Sequence, residues 1–265
     1  MDLLWWTYPF VQRAIIGGVL IGLLTAWVGT FVVLRRMAFM GAGIGHAAFG
    51  GVAVGLLLGW DPVLTATGFC VVVAWAITVV VRRGALTSDT AIGIFFAATM
   101  AFGVLLLGML QTTTDLFGYL FGSVLAIGTA DLRLLLVAVV AVGAVLVALH
   151  KEFVALAFDA EYARVTGLPE PFLDYLFAAL VAITVVLAIK MVGLILASAL
   201  LVIPGATALH LSRDFRTLLG IAIGVGVASM VLGLGASLVW NTPPGATIVL
   251  VATGFFVLSW VFRRV

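Results

Sequence analysis

The sequence predicts an all-α, polytopic membrane protein of about nine transmembrane helices, and three observations carry that prediction. Of its 265 residues, 65% are hydrophobic and only 9% are charged. A soluble domain has to solvate its surface and cannot do so with so little charge. Apolar runs of about 20 residues, the length that crosses a bilayer, follow one another with short polar breaks. Mean hydropathy is +1.34, and the few charges fall in those breaks or at the ends of the runs. Residues 1–265 therefore read as a single transmembrane domain.

The opening MDLLWWTYPF lacks a basic n-region, so no cleavable signal is expected, and Trp5, Trp6 and Tyr8 read as interfacial anchors. The spans are expected near 11–34, 38–59, 63–81, 90–110, 132–149, 172–189, 192–210, 217–239 and 245–262. Numbering the connectors alternately puts Arg35, Arg36, Arg82, Arg83, Lys151, Arg164, Arg213, Arg216, Arg263 and Arg264 on one side, and only Arg13, Arg133 and Lys190 on the other. Cytoplasmic loops carry the Lys/Arg excess, which puts the N-terminus outside and the C-terminus inside. The single Cys70 lies in an apolar span and reads as a small core residue.

The outer connectors are short at Asp61-Pro62 and Asn241–Pro244. The outer segment Gln111–Gly128 is longer, includes Asp115, and has room for a short re-entrant helix lining the mouth. Inside, His150–Pro171 is the longest polar stretch, with Asp159, Glu161 and Arg164 on a helix-like segment that Gly167 and Pro169 would end. Small residues four apart recur at Gly18/Gly22, Gly41/Gly45, Gly51/Gly55/Gly59, Gly118/Gly122 and Gly220/Gly224, and such pairs allow close helix crossings.

The missing chemistry is informative. No carboxylate falls in the middle of a span, which disfavours a proton- or sodium-coupled carrier. No glycine-rich phosphate loop is present, so any driving ATP would be hydrolysed by another polypeptide. Of the three histidines, His150 and His210 sit at inner helix ends. His46 instead falls in the apolar run of Leu34–Gly59, LRRMAFMGAGIGHAAFGGVAVGLLLG, about a third of the way in from the cytoplasmic face. Two readings stand: an imidazole bonded to a neighbouring carbonyl, or a transition-metal ligand on a permeation path. The alternatives to an ATP-driven permease are a stand-alone channel or a signalling membrane protein.

Leu34–Gly55 resembles the signature of the zinc/manganese permease family of ATP-binding-cassette importers: an arginine pair with Met, then Gly-Asp-x-x-x-His-Ala, then Pro/Gly-Val-Ala. YLFGSVLAI (Tyr119–Ile127), KMVGLILASALLVIPGATA (Lys190–Ala208) and NTPPGATIVLV (Asn241–Val251) are similar to further family segments, in order and spacing. FDAEYARVTGLP is similar to the stretch by which such permeases contact their ATPase. The resemblance implies a permease subunit in the inner membrane of a prokaryote, paired with a second copy, fed by an external metal-binding protein and driven by cytoplasmic ATPases. It implies ATPase coupling at Asp159, Glu161, Ala163 and Gly167, an outer mouth near Asp61, Asp115 and Asn241, and His46 as a metal ligand on the path. It implies no permanently bound cofactor and no nucleic-acid partner. The chain departs from the family at Ala42 and Asn241, where relatives carry aspartate, and at Ser123, a position often acidic. Losing an oxygen ligand hurts Mn²⁺ more than Zn²⁺, so zinc is placed ahead of manganese or iron, with a metal-chelate permease as another option.

Overall fold

The computed structural model describes residues 8–84, 86–110, 122 and 124–262. Asp115, Gly118, Ser123, Trp5 and Trp6 lie outside them, as does most of the expected re-entrant segment. Nine helices among the described residues are long and apolar enough to cross a membrane. They are α1 (Pro9–Leu34), α2 (Phe39–Leu58), α3 (Pro62–Arg82), α4 (Ser88–Leu110), α5 (Thr129–Ala148), α8 (Glu170–Val192), α9 (Leu194–Leu211), α10 (Phe215–Trp240) and α11 (Pro244–Val261). Two short helices, α6 (His150–Phe158) and α7 (Ala160–Val165), lie between α5 and α8. A single 3₁₀ turn, Val124–Ala126, precedes α5. The spans follow the expected ones to within a few residues. The inner connector differs, because it holds two helices broken at Asp159, whose backbone is extended at φ −151°.

Helix ends carry the expected chemistry. Pro stands in the first turn of α1, α3, α8 and α11, where its missing N–H costs nothing. Asp214 caps α10 by accepting from Thr217 N and Thr217 Oγ1, both at 3.0 Å. The backbone bond first, and the hydroxyl second, hold this exposed carboxyl below its ordinary pKa. The cap is therefore in place above the ordinary carboxylate range and fades as pH falls through the lowered value.

Lipid offers no hydrophobic drive between helices, so the bundle depends on close approach and on polar pairs. α1, α2 and α8 form its interior, while α4, α5 and α11 leave most of their surface outward. At the α1–α10 crossing a Cβ on Gly22 would lie 2.9 Å from Gly226 O, and one on Gly226 would lie 2.7 Å from Gly22 O. Gly29 lies against the Leu201 backbone of α9 more tightly still. Gly51 and Gly55 press on α3 at Ala66 and Pro62, whereas Gly220 and Gly224 meet nothing. Recurrence of small residues thus marked real contacts at some sites only.

Ion pairs tie the ends. Asp174 at the start of α8 accepts from Arg35 through Oδ1 and from Arg82 through Oδ2, which joins the ends of α1 and α3. At the opposite end Lys190 Nζ lies 2.9 Å from Asp131 Oδ1 and links α8 to α5. Beneath the connector an aromatic cluster seats α6: Phe153 lies 5.9 Å from Phe31 and 5.8 Å from Phe177 between ring centroids.

Candidate translocation site

His46 sits on the second turn of α2, half-buried, with its ring edge-on to Phe96 of α4 at 4.6 Å and 71°. Its Nδ1 lies 2.8 Å from Ala42 O, one helical turn before. A carbonyl can only accept, so Nδ1 carries the proton. In the neutral ring the lone pair is then on Nε2, the atom that binds a metal. The carbonyl-bonded reading of His46 is what the geometry shows, and that bond orients the ring without using Nε2. Small neighbours bring other helices close. Gly43 faces Ile92 of α4, and Gly45 faces Leu194 of α9 and Ile189 of α8.

One imidazole is not a complete site. Among the described residues no group of three or more His, Cys, Asp or Glu side chains could hold a metal. At position 42 the chain offers only the Ala42 methyl and carbonyl. Cys70 donates to Ile44 O at 3.5 Å from a fully buried position, as a core residue would.

Away from the Arg-rich end, three distant segments converge. A cavity of about 330 Å³ is lined by Gly122 and Val124, by Gly193 and Leu194, and by Pro243 and Pro244 among others. These belong to the YLFG, KMVG and NTPP segments. Gly193 makes the one-residue break between α8 and α9 at φ 87°. Gly122 lies on that break so tightly that a Cβ there would stand 2.5 Å from Gly193 N. Leu194 both lines this cavity and packs on Gly45, so one side chain separates the cavity from the helix that carries His46. No sequence periodicity signals the Gly122–Gly193 contact, since 71 positions separate the two.

Two residues assigned to the outer mouth have local structural tasks. Asp61 caps α3, accepting from Val63 N and Leu64 N at 2.9 Å each. Asn241 ends α10 in the left-handed region at φ 51°, which Asn tolerates better than most residues. Asp115 lies outside the described residues. His150 packs 5.1 Å from Phe215, and His210 Nδ1 lies 3.0 Å from Ser259 Oγ. Both stand at the Arg-rich end.

In the connector, α7 closes with Leu168 N bonded to Ala163 O and Gly167 N to Arg164 O, both at 3.1 Å. Gly167 is left-handed at φ 75°, the Schellman ending that its position suggested. Asp159, Glu161 and Gly167 are exposed. Ala163 is fully buried in the chain's own core and does not face outward as expected. Phe153 seats α6 against Phe31 and Phe177, and Ala163 of α7 joins the same buried core. Arg164 Nε lies 3.2 Å from Glu170 Oε1 and fixes the connector to the start of α8.

A bundle of nine apolar helices with one oriented, ligand-ready imidazole and a docked helical connector has the form of a membrane transporter. Residues 7–263 match the ABC 3 transport family, and the chain belongs to it. It is 35% identical over 255 residues to the manganese transport system membrane protein MntC of Listeria monocytogenes, covering 96% of this chain and 91% of that one. It is 32% identical over 258 residues to the chelated iron transport system membrane protein YfeD of Yersinia pestis, covering 97% and 87%. The solved structure of PsaBC from Streptococcus pneumoniae, in complex with Fab, superposes with a TM-score of 0.84 at 34% identity, covering 96% of this chain and 91% of that one. The chain is thus a multi-pass prokaryotic plasma-membrane protein of a transport family.

Proposed function

We propose that this chain is the permease subunit of an importer for divalent transition-metal ions, driven by a separate ATPase. The observation that carries the reading is His46, whose Nδ1–H is spent on Ala42 O so that in the neutral ring Nε2 keeps the lone pair, on a helix rich in glycine and alanine. One imidazole with carbonyls and waters binds weakly enough to release its ion, as a pathway must. A second copy of the chain would bring a second His46, and an external metal-binding protein would supply the ion at the end where the three segments meet. The exposed Asp159, Glu161 and Gly167 would face the ATPase. The Lys/Arg excess supports an outside N-terminus and an inside C-terminus, and a reporter fused at Val265 that is active only outside the cell would refute that orientation.

Manganese is the leading cargo, because the Listeria relative carries that metal in its name at 35% identity. This reverses the order that donor softness suggested. Zinc is the second reading, favoured by the absence of a carboxylate at position 42 beside an imidazole. Competitive uptake of manganese, zinc and iron in cells lacking the chain separates these readings. Loss confined to manganese supports the first and loss confined to zinc the second. Normal uptake of all three would refute a metal importer. Ala42→Asp should raise manganese uptake relative to zinc, since it adds a hard oxygen donor one turn from His46.

A further inference from the structure

We infer that the Arg-rich end of the bundle holds a site for the phosphate of an anionic phospholipid headgroup. A cavity of about 490 Å³ opens there between the ends of α1 and α3, the starts of α2, α4 and α8, and the end of the connector helix α6. Its polar wall holds three guanidinium groups, Arg35, Arg36 and Arg82, against one carboxylate, Asp174. That carboxylate is already used on both oxygens, by Arg35 and by Arg82. A guanidinium has five N–H donors, so each arginine has donors left over for a second acceptor. Arg36 is exposed, is held in the left-handed region at φ 56°, and has no carboxylate partner among the described residues.

Three further features select the ligand. Ser88, on the cavity wall, is the first residue of α4 and adds a hydroxyl donor, while the positive end of that helix dipole is partly offset by Asp89, an exposed carboxylate of the same turn outside the cavity wall. Apart from Thr78 the rest of the wall is apolar, with Leu34, Met40, Val81 and Phe177 on the membrane-spanning helices, Met37 between α1 and α2, and Leu156–Phe158 on the connector helix α6. A free anion gains nothing from that wall, whereas a lipid would lay its glycerol and first methylenes along it. The cavity also lies at a bundle end, where headgroups sit, and basic pockets between transmembrane helices are the known setting for anionic lipid headgroups. Arginine forks match phosphate oxygens in pairs, which favours phosphate over a neutral headgroup.

Native mass spectrometry of the purified chain, in mixed micelles of phosphatidylglycerol and phosphatidylcholine, tests the site. The wild type should retain phosphatidylglycerol in preference to phosphatidylcholine. Arg36→Gln should weaken retention about fivefold and Arg36→Gln with Arg82→Gln about 25-fold, at roughly one basic contact each. Arg82 also supports Asp174, so the double variant tests folding as well as lipid retention. Ser88→Asp avoids that overlap, because the first turn of α4 already carries Asp89 and accepts an acid, while a second acid on the cavity wall repels a phosphate, and its retention should also fall. Equal retention of the two lipids, or unchanged retention in folded Arg36→Gln and Ser88→Asp, would overturn the proposal. Displacement of the bound lipid by millimolar inorganic phosphate would overturn the lipid assignment in favour of a soluble anion.

Discussion

His46→Ala separates a metal ligand from a packing residue, because the structure gives the two roles different costs. Structurally, the variant loses the Nδ1–H bond to Ala42 O, a net contribution of about 0.5–1.5 kcal/mol. It also loses the edge-on contact with Phe96, about 0.5–1.5 kcal/mol. Ala42 O stays in the ladder of α2, so no buried carbonyl is orphaned, and alanine returns about 0.5 kcal/mol of helix propensity. The net loss is about 0.5–2.5 kcal/mol, which leaves a folded protein. The functional loss should be larger. Removing groups that merely orient a metal ligand costs about 10–100-fold in affinity, so removing the ligand itself should lower uptake by at least about tenfold. The assay is uptake of radioactive manganese and zinc by proteoliposomes holding the assembled transporter, with thermal unfolding of the same preparation as control. Wild-type uptake by folded His46→Ala would refute the reasoning and leave His46 as a residue of the α2–α4 contact.

Gly29→Ala should destabilise the bundle by about 1–3 kcal/mol or more, since the new Cβ would stand 2.8 Å from Leu201 C and overlap its oxygen; an unchanged melting temperature would contradict the close α1–α9 crossing. Asp174→Asn leaves Arg35 and Arg82, whose side chains are only 16% and 29% exposed, facing each other without their shared carboxylate. The loss should approach the roughly 3–5 kcal/mol of a broken buried pair, less some solvent screening, and denaturant titration would read it. Gly167→Val forces a β-branched residue to φ 75° where a Cβ meets no neighbour, so the strain should spoil the connector alone. ATP hydrolysis should then continue with uptake reduced, and normal coupled uptake would remove Gly167 from the coupling element.

Much of this protein was legible in its sequence. Bilayer thickness fixes the length of an apolar run, so the spans and their order followed from hydropathy alone. Gly167 and Pro169 ended the connector helix where the Schellman geometry of α7 ends it, because left-handed backbone favours glycine. His46 stood out because polar rings are rare in such a run. Only the tertiary structure decided how these parts face. It turned Ala163 inward, joined Arg35 and Arg82 on the single carboxylate of Asp174, and set Gly122 on Gly193. The caps at Asp61 and Asn241 and the His46–Ala42 bond are local contacts that hydropathy does not encode. The division has a physical cause. Solvent acts on each segment separately and leaves its mark in local composition, whereas close packing and charge pairing depend on which residues of distant helices meet, and the local pattern carries no record of that meeting.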